Sequence, residues 1–109
     1  MPSVAGRMGE AAKEGFSFKA LRDYGWQAIS FHYVYILRSQ AHPGQTYVGL
    51  TDDLKARLAV HNAGGSPHTS RFRPWAVETA IAFISREKAA AFEAYLKTGS
   101  GHEFRHRHF

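Results

Sequence analysis

No cysteine occurs among the 109 residues. That excludes disulfides and thiolate metal sites and fits a reducing cytosol, so a cytoplasmic location is expected. No apolar run approaches membrane-spanning length, and no uninterrupted apolar segment follows the basic residues near the N-terminus. Neither a membrane protein nor a secretory leader is expected. Acidic residues are also few, with nine Asp and Glu against 14 Lys and Arg, a net charge of +5, and seven histidines in reserve. Residues 55–109 hold nine of the bases and four of the acids, so the excess lies in the second half, where it could meet a polyanion. What the chain does have is 44% hydrophobic and 14% aromatic residues, enough for one domain with a modest core.

Residues 1–30 are read as an N-terminal extension and residues 31–109 as the domain. The extension begins with small residues and continues with Phe16, Phe18, Leu21, Tyr24, Trp26 and Ile29 among charged neighbours. Part of it, for instance Glu10 to Leu21, has helical character, but Gly15 and Gly25 weaken a long helix. The expectation is that the extension covers apolar surface of the domain; a surface for assembly is the other reading. Met8 offers a later start.

Two short runs rich in β-branched and aromatic residues, about Phe31–Arg38 and Thr46–Leu50, predict strands. Pro43-Gly44 marks the turn between them, which brings Tyr35 and Tyr47 opposite one another or nearly so. Both faces of the first run are mostly apolar, as in a central strand covered on both sides. Gly49 would let another group approach the backbone closely. A helix over about Asp52–Ala63 follows, with Thr51 and Asp52 as capping candidates and Gly64-Gly65 as its stop. Leu54 and Leu58 mark its buried stripe, and Arg57 and His61 stand beside it at i, i+4. The loop from Gly64 to Trp75 interleaves Arg71 and Arg73 with Phe72 and Trp75, a pattern suited to phosphates and bases, although Trp75 itself is expected in the core. A third strand, about Val77–Ile84, precedes a Ser85-capped helix, Arg86–Lys97, in which Glu93 sits at the margin of the buried face. Gly99-Ser100-Gly101 breaks that helix. His102 and His106 have i, i+4 spacing, but a basic tail is the expected reading rather than a zinc site.

Taken singly, each polar residue here has an ordinary structural reading. Taken in order, Tyr35, Tyr47-Val48-Gly49, Arg57 with His61, and Glu93 on a helix, the set resembles the GIY-YIG endonuclease superfamily, in particular its small single-domain bacterial members. Val34-Tyr35-Ile36 stands where the family has its first motif, without the glycine, and Tyr47-Val48-Gly49 matches the second. Leu54 to Asn62 matches the helix that supplies the arginine and histidine. Glu93 matches the metal-binding glutamate. The resemblance covers about Phe31 to Phe104. No Asn follows Glu93 as it does in larger members; either His102 or Ser100 substitutes, or the small members do without it.

The resemblance implies an α/β (α+β) fold with a small three-stranded, mainly antiparallel sheet flanked by helices. It also implies a metal-dependent hydrolase of DNA phosphodiester bonds. Glu93 would hold one Mg²⁺ or Mn²⁺, Arg57 would stabilise charge on phosphate, and Tyr35, positioned by Tyr47, would serve as base. A free tyrosine titrates near 10, so the base must have its pKa lowered by Arg57, the metal and His61, or else His61 takes the final proton through Tyr35. Expected contacts to nucleic acid are Gly49, Thr69, Ser70, Arg71, Arg73 and Lys97. With no obvious second domain to read sequence or grip a duplex, single-stranded or flexible branched DNA is the expected substrate. A catalytically weak nucleic-acid-binding module of the same fold is the alternative.

Overall fold

The computed structural model describes residues 30–109, so the expectations for the extension before Ser30 lie outside the described residues. The described residues form a three-stranded sheet with helices on both faces. β1 is His32–Ser39, β2 Thr46–Thr51 and β3 Trp75–Phe83; α1 is Leu54–Asn62, α2 Arg86–Leu96 and α3 Gly99–His108. The strand order is β2-β1-β3, with every pairing antiparallel.

Alternation along β1 sends its side chains to two separate cores. Val34 and Ile36 join Val48, Ala89 and Leu96 on the face covered by α2, with Phe92 and Phe104 packed alongside. Tyr35 and Leu37 join Trp75 on the other face, against Leu54 and Leu58 of α1. This is why β1 reads as apolar on both sides and why it occupies the centre. Trp75 is buried, as expected.

The register differs in one respect from the simplest reading of the hairpin. Tyr35 pairs with Gly49, and Tyr47 pairs with Leu37. The two tyrosines share a face as diagonal neighbours, with ring centroids 6.3 Å apart.

Two helix boundaries are also corrected. Asp53, not Asp52, caps α1, its carboxylate accepting from Ala56 N at 3.0 Å, while Thr51 Oγ1 accepts from Asp53 N at 3.1 Å. Asp52 instead reaches His32 Nδ1 at 2.5 Å and Arg86 Nη1 at 3.5 Å, which ties β1 to the start of α2. The helix is also shorter than expected because its first turn starts only after the cap. At the other end, Gly99 to Gly101 does end α2 but starts α3, with the Thr98 hydroxyl accepting from Gly101 N. Glycine is required there: a Cβ at Gly101 would stand 1.8 Å from Tyr95 O, so α2 and α3 meet backbone to backbone. The C-terminal residues are therefore helical rather than a loose tail.

Among the described residues, no helix is long and apolar enough to cross a membrane.

Candidate active site

Tyr35 lies in the middle of β1 and is 1% exposed. Its hydroxyl reaches His61 Nε2 at 3.0 Å. His61, from the last turn of α1, is fully buried and does not stand at a solvated helix edge. Its other nitrogen, Nδ1, lies 2.7 Å from Thr69 Oγ1. The Tyr47 ring packs on His61 with centroids 4.8 Å apart, completing a cluster of three rings. Gly49 leaves the space in which the Tyr35 hydroxyl sits, since a Cβ there would lie 2.3 Å from Tyr35 Oη.

Arg57 is one turn before His61 on α1 and faces the same rings. It interacts first with the Tyr35 hydroxyl and also with Tyr47, and these phenols hold the guanidinium more firmly protonated. The Tyr35 pKa is nevertheless raised. Burial disfavours the phenolate and outweighs the interaction with the Arg57 guanidinium, which favours it, while the nearby Tyr47 and Glu93 charges also push upward. The expectation that its neighbours lower the Tyr35 pKa is thus reversed in the protein by itself. His61 moves the other way, lowered first by burial and then by the Arg57 charge. At neutral pH the pair is a neutral phenol facing a neutral imidazole.

Glu93 projects from α2, half-buried, with Lys97 Nζ 3.5 Å from its Oε2. Among the described residues no group of three or more His, Cys, Asp or Glu stands together. A hard divalent cation can be held by one carboxylate when water and substrate phosphate supply the other oxygens. Glu93, whose charge reaches Tyr35, fits that role. Of the two candidates for the missing asparagine, His102 places Nδ1 3.0 Å from Arg105 Nη2, and the main-chain carbonyl of Ser100 accepts from the Tyr95 hydroxyl.

The expected nucleic-acid contacts divide into two sets. Gly49 and Thr69 are buried and serve the site from within, Gly49 by making room for Tyr35 and Thr69 by bonding His61. Arg71 and Arg73 are exposed on the loop before β3, with Ser70 half-buried just before them and Lys97 exposed beside Glu93. The loop is anchored at its far end by Trp75, whose indole N–H donates to Thr69 O at 2.8 Å. Asn62 closes its base, with Nδ2 donating to Trp75 O at 3.0 Å and Oδ1 accepting from Trp75 N at 2.7 Å. Sequence reasoning missed Asn62 as a structural clamp; its place one residue after His61, at the helix end, was the available signal.

Residues 31–105 match the GIY-YIG catalytic domain. The chain is 38% identical over 86 residues to the structure-specific endonuclease subunit SLX1 of Scheffersomyces stipitis, covering 72% of this chain and 23% of that protein. It is 39% identical over 66 residues to a UPF0213 protein of Streptococcus pneumoniae serotype 4, covering 60% of this chain and 65% of that one. A UPF0213 protein of Lacticaseibacillus paracasei is 37% identical over 81 residues, covering 73% of this chain and 84% of that one. The chain thus spans about a quarter of the fungal protein and most of the small bacterial ones. With this match over the residues that carry Tyr35, Tyr47, Arg57, His61 and Glu93, the chain belongs to the GIY-YIG endonuclease family.

Proposed function

We propose that the chain is a metal-dependent endonuclease of the cytoplasm that hydrolyses DNA phosphodiester bonds, with single-stranded or branched DNA as its substrate. The observation that carries this reading is the buried hydrogen bond between Tyr35 and His61, 3.0 Å long, with Arg57 beside it. A hydroxyl in contact with a neutral imidazole can pass its proton inward as it accepts one from outside. The structure-specific endonuclease name belongs to the fungal relatives and agrees with a branched substrate.

Hydrolysis needs a water deprotonated as it attacks phosphorus, charge to stabilise the pentavalent transition state, and a proton for the leaving oxygen. Tyr35 Oη takes the water's proton while its own proton moves to His61 Nε2, so no free phenolate has to form in the buried site. The new P–O bond forms, the bond to the leaving oxygen breaks, and solvent protonates that oxygen. Arg57 offers N–H donors and fixed charge to the phosphate oxygens. Glu93 would hold the Mg²⁺ or Mn²⁺, which supplies Lewis-acid stabilisation of the phosphate when bound. Arg71, Arg73 and Lys97, all exposed, would steer the strand by contact with neighbouring phosphates.

The test is cleavage of labelled single-stranded, branched and duplex DNA with Mg²⁺, Mn²⁺ or EDTA, using the wild type, Tyr35→Phe and Glu93→Ala. Cleavage should need the metal, and Tyr35→Phe should slow the single-turnover step by about 10²–10⁴-fold while DNA binding persists. Binding without metal-dependent cleavage would leave a nucleic-acid-binding module, and full activity in Tyr35→Phe would sink the tyrosine assignment.

A further inference from the structure

The contacts around His61 form one chain of hydrogen bonds whose direction can be worked out from its outer end. Tyr35 is buried, and its phenol proton must have an acceptor. Arg57 can only donate, so His61 Nε2, at 3.0 Å, is the acceptor within reach. An imidazole that accepts at Nε2 and carries no net charge has its proton on Nδ1. That proton points to Thr69 Oγ1 at 2.7 Å, so the threonine oxygen accepts there. The Thr69 hydroxyl proton then passes to the Ser66 carbonyl, 3.4 Å away, which can only accept. Thr69 has no exposed surface, so no water competes for its hydroxyl.

We infer that Thr69 is a positioning residue that fixes His61 in its Nδ1–H tautomer and keeps Nε2 open to receive the proton of Tyr35. The inference rests on the reading of Tyr35 and His61 as the proton-transfer pair. When the proton arrives, the imidazolium donates at both nitrogens, to Tyr35 Oη and to Thr69 Oγ1, without any reorientation. The arrangement parallels a triad whose third member is a neutral hydroxyl in place of a carboxylate. A neutral third member brings no charge to offset burial and the Arg57 charge, which lower the His61 pKa. The groups facing His61 are Tyr35 of β1, Tyr47 of β2, Arg57 of its own helix and Thr69 of the following loop, and among them Thr69 accepts at Nδ1.

The loop geometry holds Thr69 in place independently of His61. Its N–H donates to Ser66 O at 3.2 Å and its carbonyl accepts the Trp75 indole at 2.8 Å. The hydroxyl is thereby presented at a fixed point, which a freely moving loop residue could not do.

The experiment reads the tautomer and the rate separately. Nitrogen-15 NMR of the imidazole side chains in the full chain should show His61 protonated at Nδ1 and bare at Nε2 near neutral pH. In Thr69→Val, which keeps the shape and removes the hydroxyl, Nδ1–H loses its acceptor and part of the population should shift to Nε2–H, and Thr69→Ser should restore the Nδ1–H form. Single-turnover cleavage should fall by about 10–100-fold in Thr69→Val, with the pH profile altered and DNA affinity kept, and recover in Thr69→Ser. A wild-type His61 protonated at Nε2 would overturn the inference, and so would a Thr69→Val protein with unchanged tautomer and rate. The wild-type spectrum needs no variant to fold and no DNA to be cut. If wild-type protein cuts no DNA, it is the nuclease reading that fails, while the spectrum still decides the tautomer.

Discussion

Gly49 stands directly across the sheet from Tyr35, and the tyrosine hydroxyl occupies the space that a side chain at position 49 would need. A Cβ there would meet Oη at 2.3 Å, Cζ at 2.4 Å and Cε1 at 2.8 Å. The second motif therefore serves the first sterically, since the glycine lets the phenol lie flat against β2 and reach His61.

Gly49→Ala should displace the Tyr35 ring. The ring is enclosed by His61, Tyr47 and α1, so no vacant site receives it. We expect a stability loss of about 1–3 kcal/mol and near-abolition of cleavage, read by thermal unfolding and single-turnover assays. A Gly49→Ala protein that cuts at the wild-type rate would show that Tyr35 does not need its present position.

The pH dependence follows from the two opposite shifts. Cleavage should rise with pH through a titration below the usual histidine value of about 6.5, then level off near neutrality as His61 becomes an acceptor. Stability should change in the same window. His61 binds its proton more weakly in the folded chain, so its contribution is complete above about 6.5 and is lost as pH falls toward the folded value. Tyr35 acts at the other end: its raised pKa gives stability that is complete below about 10 and is lost as pH rises through the folded value. Urea unfolding across the pH range measures both limbs; stability that increased on acidification below 6.5 would contradict a buried neutral His61.

The exposed loop carries the electrostatic part of binding. Arg71 lies 5.8 Å from the centre of the Phe72 ring, and Arg73 donates to Ser70 O at 2.9 Å, so both guanidiniums are held without an acidic partner among the described residues. Changing both to Ala should weaken DNA binding. The slope of log affinity against log salt should become shallower by roughly 1.5, one phosphate contact being worth about 0.7 for single strands. Titrations at several salt concentrations give the number directly, and an unchanged slope would place the strand elsewhere.

Gly101→Ala tests the opposite face of the sheet. The added methyl would meet the Tyr95 carbonyl at 1.8 Å and Leu96 Cα at 2.6 Å, which are backbone atoms that cannot swing aside. Prising α3 from α2 should cost about 2 kcal/mol or more and lower Tm by roughly 10 °C. A melting temperature within a degree of wild type would mean that the corner opens freely.

Much of the fold could be read from local pattern. The alternating apolar residues of β1, the turn at Pro43-Gly44, and the Ser85 cap with its helix each express a preference that a few neighbouring residues settle by themselves. The pairing of Arg57 with His61 on one side of α1 was equally legible, because helical spacing places residues four apart together. The ordered set of Tyr35, Tyr47, Gly49, Arg57, His61 and Glu93 identified the family for the same reason: it is a statement about order along the chain.

What the sequence could not decide were quantities set by three-dimensional enclosure. Whether the Tyr35 pKa rises or falls depends on how much water reaches its oxygen, and burial outweighs Arg57. Whether Gly49 and Thr69 touch nucleic acid or other side chains depends on which way the strand and loop face, and both turn inward. The bond from His61 to Thr69 spans a loop with no regular period, so no spacing rule could find it. Residue order along the chain determined which groups the site contains; packing between β1, α1 and the loop before β3 decided which of them touch and which are shut off from water.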